Sequence, residues 1–391
     1  MRLVDTSERR ARLGRRHALA TAAPDCVAAA RSMVVLHSSD PVTVFLSTWA
    51  RVSGFTVPDL ERALYDDRVV LRMHGMRRTL WVVPTEWAPL VYGSSTRAVA
   101  AAERRRTARM VEAGGVAEDG EAWLQEASTE ILGVIAAGGE VLTRDVTRQV
   151  PRLGQQMPFY NQQGRLMGSP AVGSRALNQL GFESLLVRTR PAGTWVSGQY
   201  RWAVTESWLG TPLPRVESDD ASRDLLALWL HAFGPATEVD IKWWTGWPLR
   251  QVRRALVDME AVSVALDDGG IGFLNPDDTD PVPTTDPWVA LLPSLDPTTM
   301  GWKERSWYLG RHAGALFDRN GNGGTTVWHD GRIVGGWTQR KTGEIVYEIF
   351  DDIPAAGRRA IAARARELEE WFGGVNVTPR FPSPHEKQLG S

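Results

Sequence analysis

Apolar residues recur at helical spacing in the first part of the chain and then change to a strand-like order. The stretch "DPVTVFLSTWARV" begins with Asp40-Pro41, a typical N-cap and first helical residue. Its apolar positions lie on one face of a helix: Val42, Phe45, Leu46 and Trp49. The later stretch "RVVLRMHGMRRTLWVVP" predicts two apolar strands joined by a turn at Gly75. Helices followed by a two-stranded ribbon are typical of a winged-helix module.

The same order of helices and a hairpin recurs twice further along the chain. The pattern predicts an α+β protein with winged-helix units at residues 1–110, 111–212 and 213–280. The Pro- and Asp-rich stretch at 274–287 predicts a linker. Strand-like pieces and one last helix then predict a small β-rich domain over residues 281–391.

Composition limits the classes of protein and site that are possible. The chain has 391 residues and a single cysteine, which excludes a disulfide framework and a cysteine-based zinc site. No apolar run approaches the roughly 20 residues that a membrane span needs, and no signal-type apolar stretch follows the basic N-terminus. The seven histidines have no paired metal-ligand spacing, and no convincing phosphate-cradling loop is present. We therefore expect a cytoplasmic protein without metal or cofactor.

Charge alternates along the chain although the net charge is only −1. Residues 1–110 carry 18 Lys and Arg against 10 Asp and Glu, and residues 144–203 carry eight against two. Residues 204–302 carry six against 16. Two basic regions suit a protein that presents a positive face to a polyanion, although ordinary surface variation also produces such a pattern. Only four of the 45 basic residues are lysine. Arginine is the better bidentate partner for phosphate, but a GC-rich genome also favours it.

Several stretches resemble the AlkZ/YcaQ family of bacterial DNA glycosylases. "MRRTLWVV" (76–83) is similar to the ribbon of the family's first winged helix, and "LPSLDPTTMGWKERSWYLGRH" (292–312), "LFDRNGNGGTTVWHDGRIVGGW" (316–337) and "VTPRFPSP" (377–384) are similar to its C-terminal domain. The resemblance implies three tandem winged-helix domains that form a concave DNA-binding surface, plus a C-terminal β-rich domain. It also implies an enzyme that hydrolyses the bond between a damaged base and its sugar.

The family's catalytic element resembles Gln-x-Gln or Gln-x-Asp, and this chain departs from it. The matching stretch is Leu36-His37-Ser38-Ser39-Asp40-Pro41, so His37 and Ser39 occupy the two catalytic positions. A histidine of ordinary pKa could orient a water and accept its proton, and the Ser39 hydroxyl could hold the same water. His37 could instead be a structural histidine. Asp40 could orient His37 or support the developing positive charge on the sugar, but the pattern favours a helix cap.

Seven arginines are candidates for contact with DNA phosphates. Each could also be an ordinary surface arginine. They lie on the first predicted ribbon and in the second unit: Arg72, Arg77, Arg78, Arg175, Arg188, Arg190 and Arg201. The stretch "MPFYNQQGRLMGSP" (157–170) is a candidate loop for contact with bases or adduct, and Trp195, Trp202 and Trp337 are candidates for contact with the lesion or the DNA edge.

The sequence therefore predicts a monofunctional glycosylase, since no lysine lies near the first region to form a Schiff base. The resemblance further implies that the substrate is duplex DNA carrying a bulky, possibly intercalated, N7-alkylguanine adduct, and that the role is self-resistance to a genotoxin. A monomer is expected. Loss of both glutamines leaves two alternatives open: a winged-helix DNA-binding regulator without catalysis, and a protein that sequesters the toxin or adduct.

Overall fold

The computed structural model describes residues 1–161 and 163–390, and it has the mixed α+β fold that the sequence predicts. Within these residues, the strands form three three-stranded sheets, one four-stranded sheet and one two-stranded hairpin. Each three-stranded sheet contains an antiparallel hairpin that follows helices in the chain. The four-stranded sheet lies in the C-terminal part, as the β-rich prediction requires.

The first part of the chain contains the segment in which catalysis is predicted. Its elements are β1 (Leu3–Val4), α1 (Thr6–Arg16), α2 (Cys26–Ser32), β2 (Leu36–His37), α3 (Pro41–Trp49), α4 (Val57–Glu61), β3 (Val70–His74), β4 (Leu80–Pro84) and α5 (Ala88–Val91). Strands β2, β4 and β3 form one sheet in that order. His37 pairs with Trp81 at the end of β2, so the predicted catalytic segment leaves the sheet from an edge strand.

The hairpin between β3 and β4 turns through unusual backbone. A Cβ atom added at Gly75 would lie 2.7 Å from Cδ1 of Trp81, so only glycine fits at this position. Arg77 and Arg78 have φ angles of 55° and 61°, in the left-handed region that non-glycine residues seldom occupy. The turn therefore directs two arginines out of the end of the first sheet.

The second unit has a hydrophobic core of its own, built around Trp123, Ile131 and Leu177. Its elements are α6 (Arg97–Ala113), α7 (Gly120–Gly138), β5 (Val141–Leu142), α8 (Thr143–Gln149), β6 (Phe159–Tyr160), β7 (Leu166–Gly168), α9 (Gly173–Phe182), β8 (Leu186–Pro191), β9 (Tyr200–Val204) and α10 (Thr205–Leu209). Helix α6 runs across residue 110, so the domain boundary predicted there falls inside a helix.

The third unit and the C-terminal part share one continuous core with the first unit. Their elements are α11 (Ser218–Phe233), α12 (Glu238–Thr245), α13 (Leu249–Asp258), β10 (Val262–Leu266), β11 (Ile271–Leu274), β12 (Val289–Leu292), α14 (Ser306–Leu309), α15 (Ala313–Leu316), β13 (Thr326–His329), β14 (Arg332–Gln339), β15 (Ile345–Ile349), α16 (Ala355–Phe372) and α17 (Pro384–Leu389). Strand β1 pairs in parallel with β10, so the first residues belong to the third sheet.

Within the described residues, five further short segments form helical turns that are not α-helical. The turns at Arg62–Asp66 and Tyr92–Thr96 are π-helical, and those at Met76–Arg78, Thr85–Trp87 and Pro151–Gly154 are 3-10.

Helix α3 is fastened to the C-terminal part along its length. The Thr43 hydroxyl donates to the Ser294 carbonyl over 2.8 Å. One turn later, Ser47 and Arg51 donate to the carboxylate of Asp296 over 2.7–2.9 Å. Burial alone would raise the pKa of Asp296, but the Arg51 guanidinium and its hydrogen bonds hold that pKa below its usual range. The helix that follows the predicted catalytic segment is thus held in a fixed position.

Candidate active site

Asp40 begins helix α3, as the sequence predicts. Its Oδ1 accepts a hydrogen bond from the backbone N–H of Val42 over 3.1 Å, and Pro41 occupies the first helical turn. Its Oδ2 accepts the backbone N–H of Arg380 over 3.0 Å. Both oxygens are therefore engaged by backbone donors, and Asp40 makes no hydrogen bond to His37 in the described structure.

His37 is buried, and its ring packs edge-on against Trp81 with centroids 4.9 Å apart. The backbone N–H of Ser39 donates to its Nδ1 over 3.4 Å. Nδ1 therefore carries the lone pair, and Nε2 carries the proton. Burial, and then the charge of Arg77, lowers the pKa of His37 to about 3. The imidazole is neutral at physiological pH and is a much weaker base than the sequence alone suggests.

Ser39 is half-buried, and its hydroxyl makes no hydrogen bond within the described part of the chain. Its carbonyl accepts from Nη1 of Arg380 over 3.0 Å. Arg380 thus holds two successive residues of the loop, since its backbone N–H also donates to Asp40. The resulting geometry leaves the Ser39 hydroxyl free to bind a water or substrate atom.

Arg72 lies inside the protein, which corrects the expectation that it faces DNA. Its side chain is 1% exposed. Nε donates to the Ser38 hydroxyl over 2.9 Å, Nη1 donates to the Tyr65 hydroxyl over 2.7 Å, and the guanidinium lies 4.3 Å from the Tyr200 ring centroid. The Ser38 hydroxyl consequently anchors the loop to the buried Arg72.

Arg77 and Arg78 differ in their surroundings although they are neighbours in the same turn. Arg77 is half-buried, with its guanidinium 4.5 Å from the Trp243 ring centroid and its Nε without a hydrogen-bond partner. Burial, and then the charge of Arg305, lowers the pKa of Arg77 to about 10. Arg78 is exposed and forms an ion pair with Glu103 over 2.9 Å.

Arg188 lines a cleft that also contains Tyr200, whose ring packs against Arg72, the residue that donates to Ser38 in the loop of His37. The cleft of about 570 Å³ also includes Trp202 and Arg144, and none of its lining residues is acidic. Nη2 of Arg188 donates to the Asn178 side chain over 2.8 Å, and the charges of Arg72 and Arg380 act on its guanidinium. This arginine therefore keeps a position from which it could contact DNA.

The other predicted arginines are only partly available. Arg190 is paired with Glu61 and Asp66 over 3.2 and 3.1 Å. Arg201 donates to the backbone carbonyls of Arg190 and Pro191. Arg175 is half-buried and has no ion pair within the described residues.

The predicted aromatic contacts are mostly core residues. Trp195 packs against Phe45 and Trp371, and Trp337 donates from its indole to the Leu292 carbonyl, so both belong to the interior. Trp202 is also buried, although one edge lines the 570 Å³ cleft.

The candidate loop at 157–170 contains a hairpin whose strands β6 and β7 are antiparallel. Leu166 and Met167 are exposed on it, at 53% and 56%. Gln162, which was also a candidate for base contact, lies outside the described residues. An exposed apolar hairpin beside a basic unit is a reasonable element for contact with unstacked bases.

Sequence reasoning missed the residues that shape the loop from elsewhere. Arg380 holds residues 39 and 40 from a distant segment. Tyr65 and Tyr200 come from two other segments and hold Arg72, which donates to Ser38. The block "VTPRFPSP" marked the neighbourhood of Arg380, but no local pattern indicated its contact with Ser39. His37, Ser38 and Ser39 thus lie in one loop that Arg72 and Arg380 hold by hydrogen bonds, and the charge of Arg77 acts on His37.

The arrangement can hold a water, but it offers no metal chemistry in the part of the chain that is described. No group of three or more potential metal-ligating side chains occurs there. No described helix is long and apolar enough to cross a membrane. The site combines a neutral imidazole, a free hydroxyl and three arginines without carboxylate partners, which suits a polyanionic substrate.

Comparisons with known proteins give consistent results for the fold and the family. The family model "DNA glycosylase AlkZ-like" matches residues 30–371. The solved structure of the DNA glycosylase AlkZ from Streptomyces sahachiroi superposes with a TM-score of 0.74 and 19% identity, covering 98% of this chain and 99% of that one.

A curated leucyl/phenylalanyl-tRNA–protein transferase from Thiobacillus denitrificans is 32% identical over 80 residues. The match covers 20% of this chain and spans about a third (35%) of the transferase, so it does not extend to that protein's whole fold.

Proposed function

Because the chain belongs to the AlkZ-like family of DNA glycosylases, we propose that it excises bulky N7-alkylguanine adducts from duplex DNA and so protects against a genotoxin. The observation that carries this proposal is the loop His37–Asp40. It presents a neutral imidazole and a free hydroxyl between arginines that have no carboxylate partner in the described structure.

The chemistry of the substrate explains why the reaction needs so few catalytic side chains. Alkylation at N7 makes the guanine cationic, so the C1′–N9 bond can break with its electron pair moving to N9, which neutralises the base. The sugar becomes an oxocarbenium ion, water adds to C1′, and one proton leaves to solvent. The leaving group requires no acid, and the enzyme's task is to place the water and stabilise the sugar cation.

His37 and Ser39 each position this water by one hydrogen bond. With Nδ1 engaged by Ser39, the Nε2–H of His37 donates to the water oxygen and leaves its second lone pair for C1′. The Ser39 hydroxyl accepts from the same water. The Asp40 carboxylate, fixed by two backbone donors, adds a nearby negative charge that favours the oxocarbenium ion.

DNA would lie along the loop and across the cleft that Arg188 lines. Arg188 and Arg77 are the best-placed candidates for phosphate contacts, and Arg175, without an ion pair within the described residues, is a further candidate. Arg78, Arg190 and Arg201 would contribute after their present partners release them. The exposed hairpin with Leu166 and Met167 would contact the bases beside the adduct.

The decisive experiment is an abasic-site assay. The protein is incubated with an end-labelled duplex carrying one N7-alkylguanine, and alkali then cleaves any abasic site. Strand breaks at the adduct are expected with wild-type protein, and few or none with His37→Ala. Intact binding without breaks, tested across small and bulky N7 adducts, would refute catalysis and favour a DNA-binding regulator. Binding of the free toxin without base release would instead favour sequestration.

A further inference from the structure

A second positive cleft is lined in part by Arg77. It encloses about 330 Å³ between the β3–β4 turn, helix α12 and the segment that connects β12 to β13 of the C-terminal sheet. Three basic residues line it: Arg77, Lys303 and Arg305. No acidic residue is among the residues that line the cleft.

Two of these cations are held on one aromatic ring. The guanidinium of Arg77 lies 4.5 Å and that of Arg305 lies 5.0 Å from the Trp243 ring centroid, and Arg305 also lies 4.6 Å from Phe317. Stacking fixes the planes of the two guanidinium groups while leaving their N–H edges available. Like charges held this close repel each other, and an anion between them would remove the repulsion.

The acidic residues near the cleft are already engaged. Oδ1 of Asp240 accepts the backbone N–H groups of Lys303 and Glu304, and its Oδ2 accepts the backbone N–H of Thr237. The Glu304 carboxylate accepts from the Thr237 hydroxyl over 2.9 Å. Arg77, Lys303 and Arg305 have no ion pair within the described residues, so their charge is available to an external ligand.

Asp318 is the remaining carboxylate near this cleft. Both of its oxygens accept donors of its own turn, from the backbone of Asn320 and from the backbone and side chain of Asn322. These hydrogen bonds keep Asp318 ionised within its own turn, and within the described residues it forms no ion pair with the three cations of the cleft.

The backbone at Arg77 supports a ligand-binding role. A non-glycine residue with φ of 55° costs on the order of 1 kcal/mol, and such strain persists where surrounding structure enforces it. The Arg77 side chain packs closely on Gly246, since a Cβ added there would lie only 3.0 Å from Cγ of Arg77. The Nε of Arg77 is buried without a partner, as expected for a donor that awaits an acceptor.

We propose that this cleft binds a backbone phosphate of the DNA strand beside the lesion, with Lys303 and Arg305 supplying contacts from the C-terminal part of the chain. The proposal rests on DNA being the substrate, as proposed above. Arg77 lines this cleft and its charge also acts on His37, so the cleft and the candidate active site share one cation. Guanidinium forks suit the two unesterified oxygens of a phosphodiester.

The test measures binding, and it does not depend on catalysis. Dissociation constants for an undamaged fluorescent duplex are measured by anisotropy over a range of salt concentrations, for wild type, Lys303→Gln, Arg305→Gln and the double variant. Each substitution that removes a phosphate contact should make the plot of log Kd against log salt shallower by about 0.9. Lys341→Gln, at an exposed turn of the C-terminal sheet, is the matched control and should keep the wild-type slope.

Outcomes of this test separate the cleft from the proposed reaction. Unchanged slopes for folded Lys303→Gln and Arg305→Gln would overturn the phosphate assignment even if base release is intact. Shallower slopes in a protein that releases no base would support the cleft and refute the glycosylase chemistry. Calorimetric binding of inorganic phosphate at constant ionic strength, with unchanged DNA slopes, would identify a free phosphate compound as the ligand and overturn the DNA assignment. Arg305→Lys keeps the positive charge and should retain most of the wild-type slope. This result would show that a shallower slope in Arg305→Gln comes from the lost charge and not from loss of folding.

Discussion

The pH dependence of base release distinguishes a water-orienting His37 from a titrating general base. Burial and the charge of Arg77 lower the pKa of His37 to about 3. With a pKa of about 3 the imidazole is about 99% neutral at pH 5, whereas with the ordinary value of about 6.5 it would be only about 3% neutral. The rate should therefore change by a few per cent between pH 8 and pH 5. An ordinary histidine base would produce a decrease of about 30-fold.

The assay is single-turnover base release with protein in excess over an adducted duplex, corrected for spontaneous loss of the base at each pH. His37→Ala should lower the rate about a hundredfold because the water is no longer oriented. His37→Gln should retain more activity than His37→Ala, since an amide N–H can donate as the Nε2–H does. His231→Gln, at an exposed histidine on helix α11, is the control and should match the wild type.

A rate that decreases about 30-fold from pH 8 to pH 5 in wild type, but not in His37→Gln, would refute this reasoning. It would mean that His37 titrates near its ordinary pKa and that the loop is open to solvent. Circular dichroism at each pH shows whether the protein remains folded over the range compared.

Three further predictions concern groups that hold the loop and the core in place. Arg72→Met should lower the free energy of unfolding by about 2–4 kcal/mol in urea titration, because hydrogen bonds from a buried charge are lost; unchanged stability would contradict its anchoring role. Asp296→Asn should cost about 3–5 kcal/mol because Arg51 is left buried without its counter-charge. Arg254→Gln, at a solvent-exposed ion pair, is the control and should lower stability far less than Asp296→Asn in the same titration; equal losses would contradict the argument. Burial also lowers the pKa of His17 to about 3, so stability is complete above about pH 6.5 and should decrease as pH decreases towards about 3, because only the unfolded chain takes up the proton. Urea midpoints that stay constant from pH 7 to pH 4 would argue against this.

Features that depend on neighbouring residues were predictable from the sequence. Asp40 and Pro41 begin helix α3 as expected, because a cap acts over three or four residues. The ribbon around Gly75 forms the β3–β4 hairpin for the same reason, and the alternation of helices and strands predicts an α+β fold. The number of winged-helix domains and their boundaries stay predictions, and the boundary at residue 110 falls within helix α6.

Charge alone did not reveal which arginines face solvent. Arg72 lies on a basic ribbon that the sequence suggests is exposed, yet its side chain is buried against Tyr65 and Tyr200. An alternating pattern shows which face of a strand a residue lies on, but it does not show which other domain covers that face. The aromatic residues Trp195 and Trp337 were misjudged for the same reason, since both are covered by distant segments.

The sequence by itself determined the type of fold, the helix start at Asp40 and the family, because these depend on local patterns and on motifs that can be recognised in order along the chain. Only the tertiary structure decided the electrostatics of the site. The pKa of His37 depends on how deeply the loop is buried and on the distance to Arg77. The positions of Ser39 and Asp40 depend on Arg380, which lies about 340 residues further along the chain. Desolvation and Coulomb interactions act through space, and for that reason they have no signature in the order of the residues.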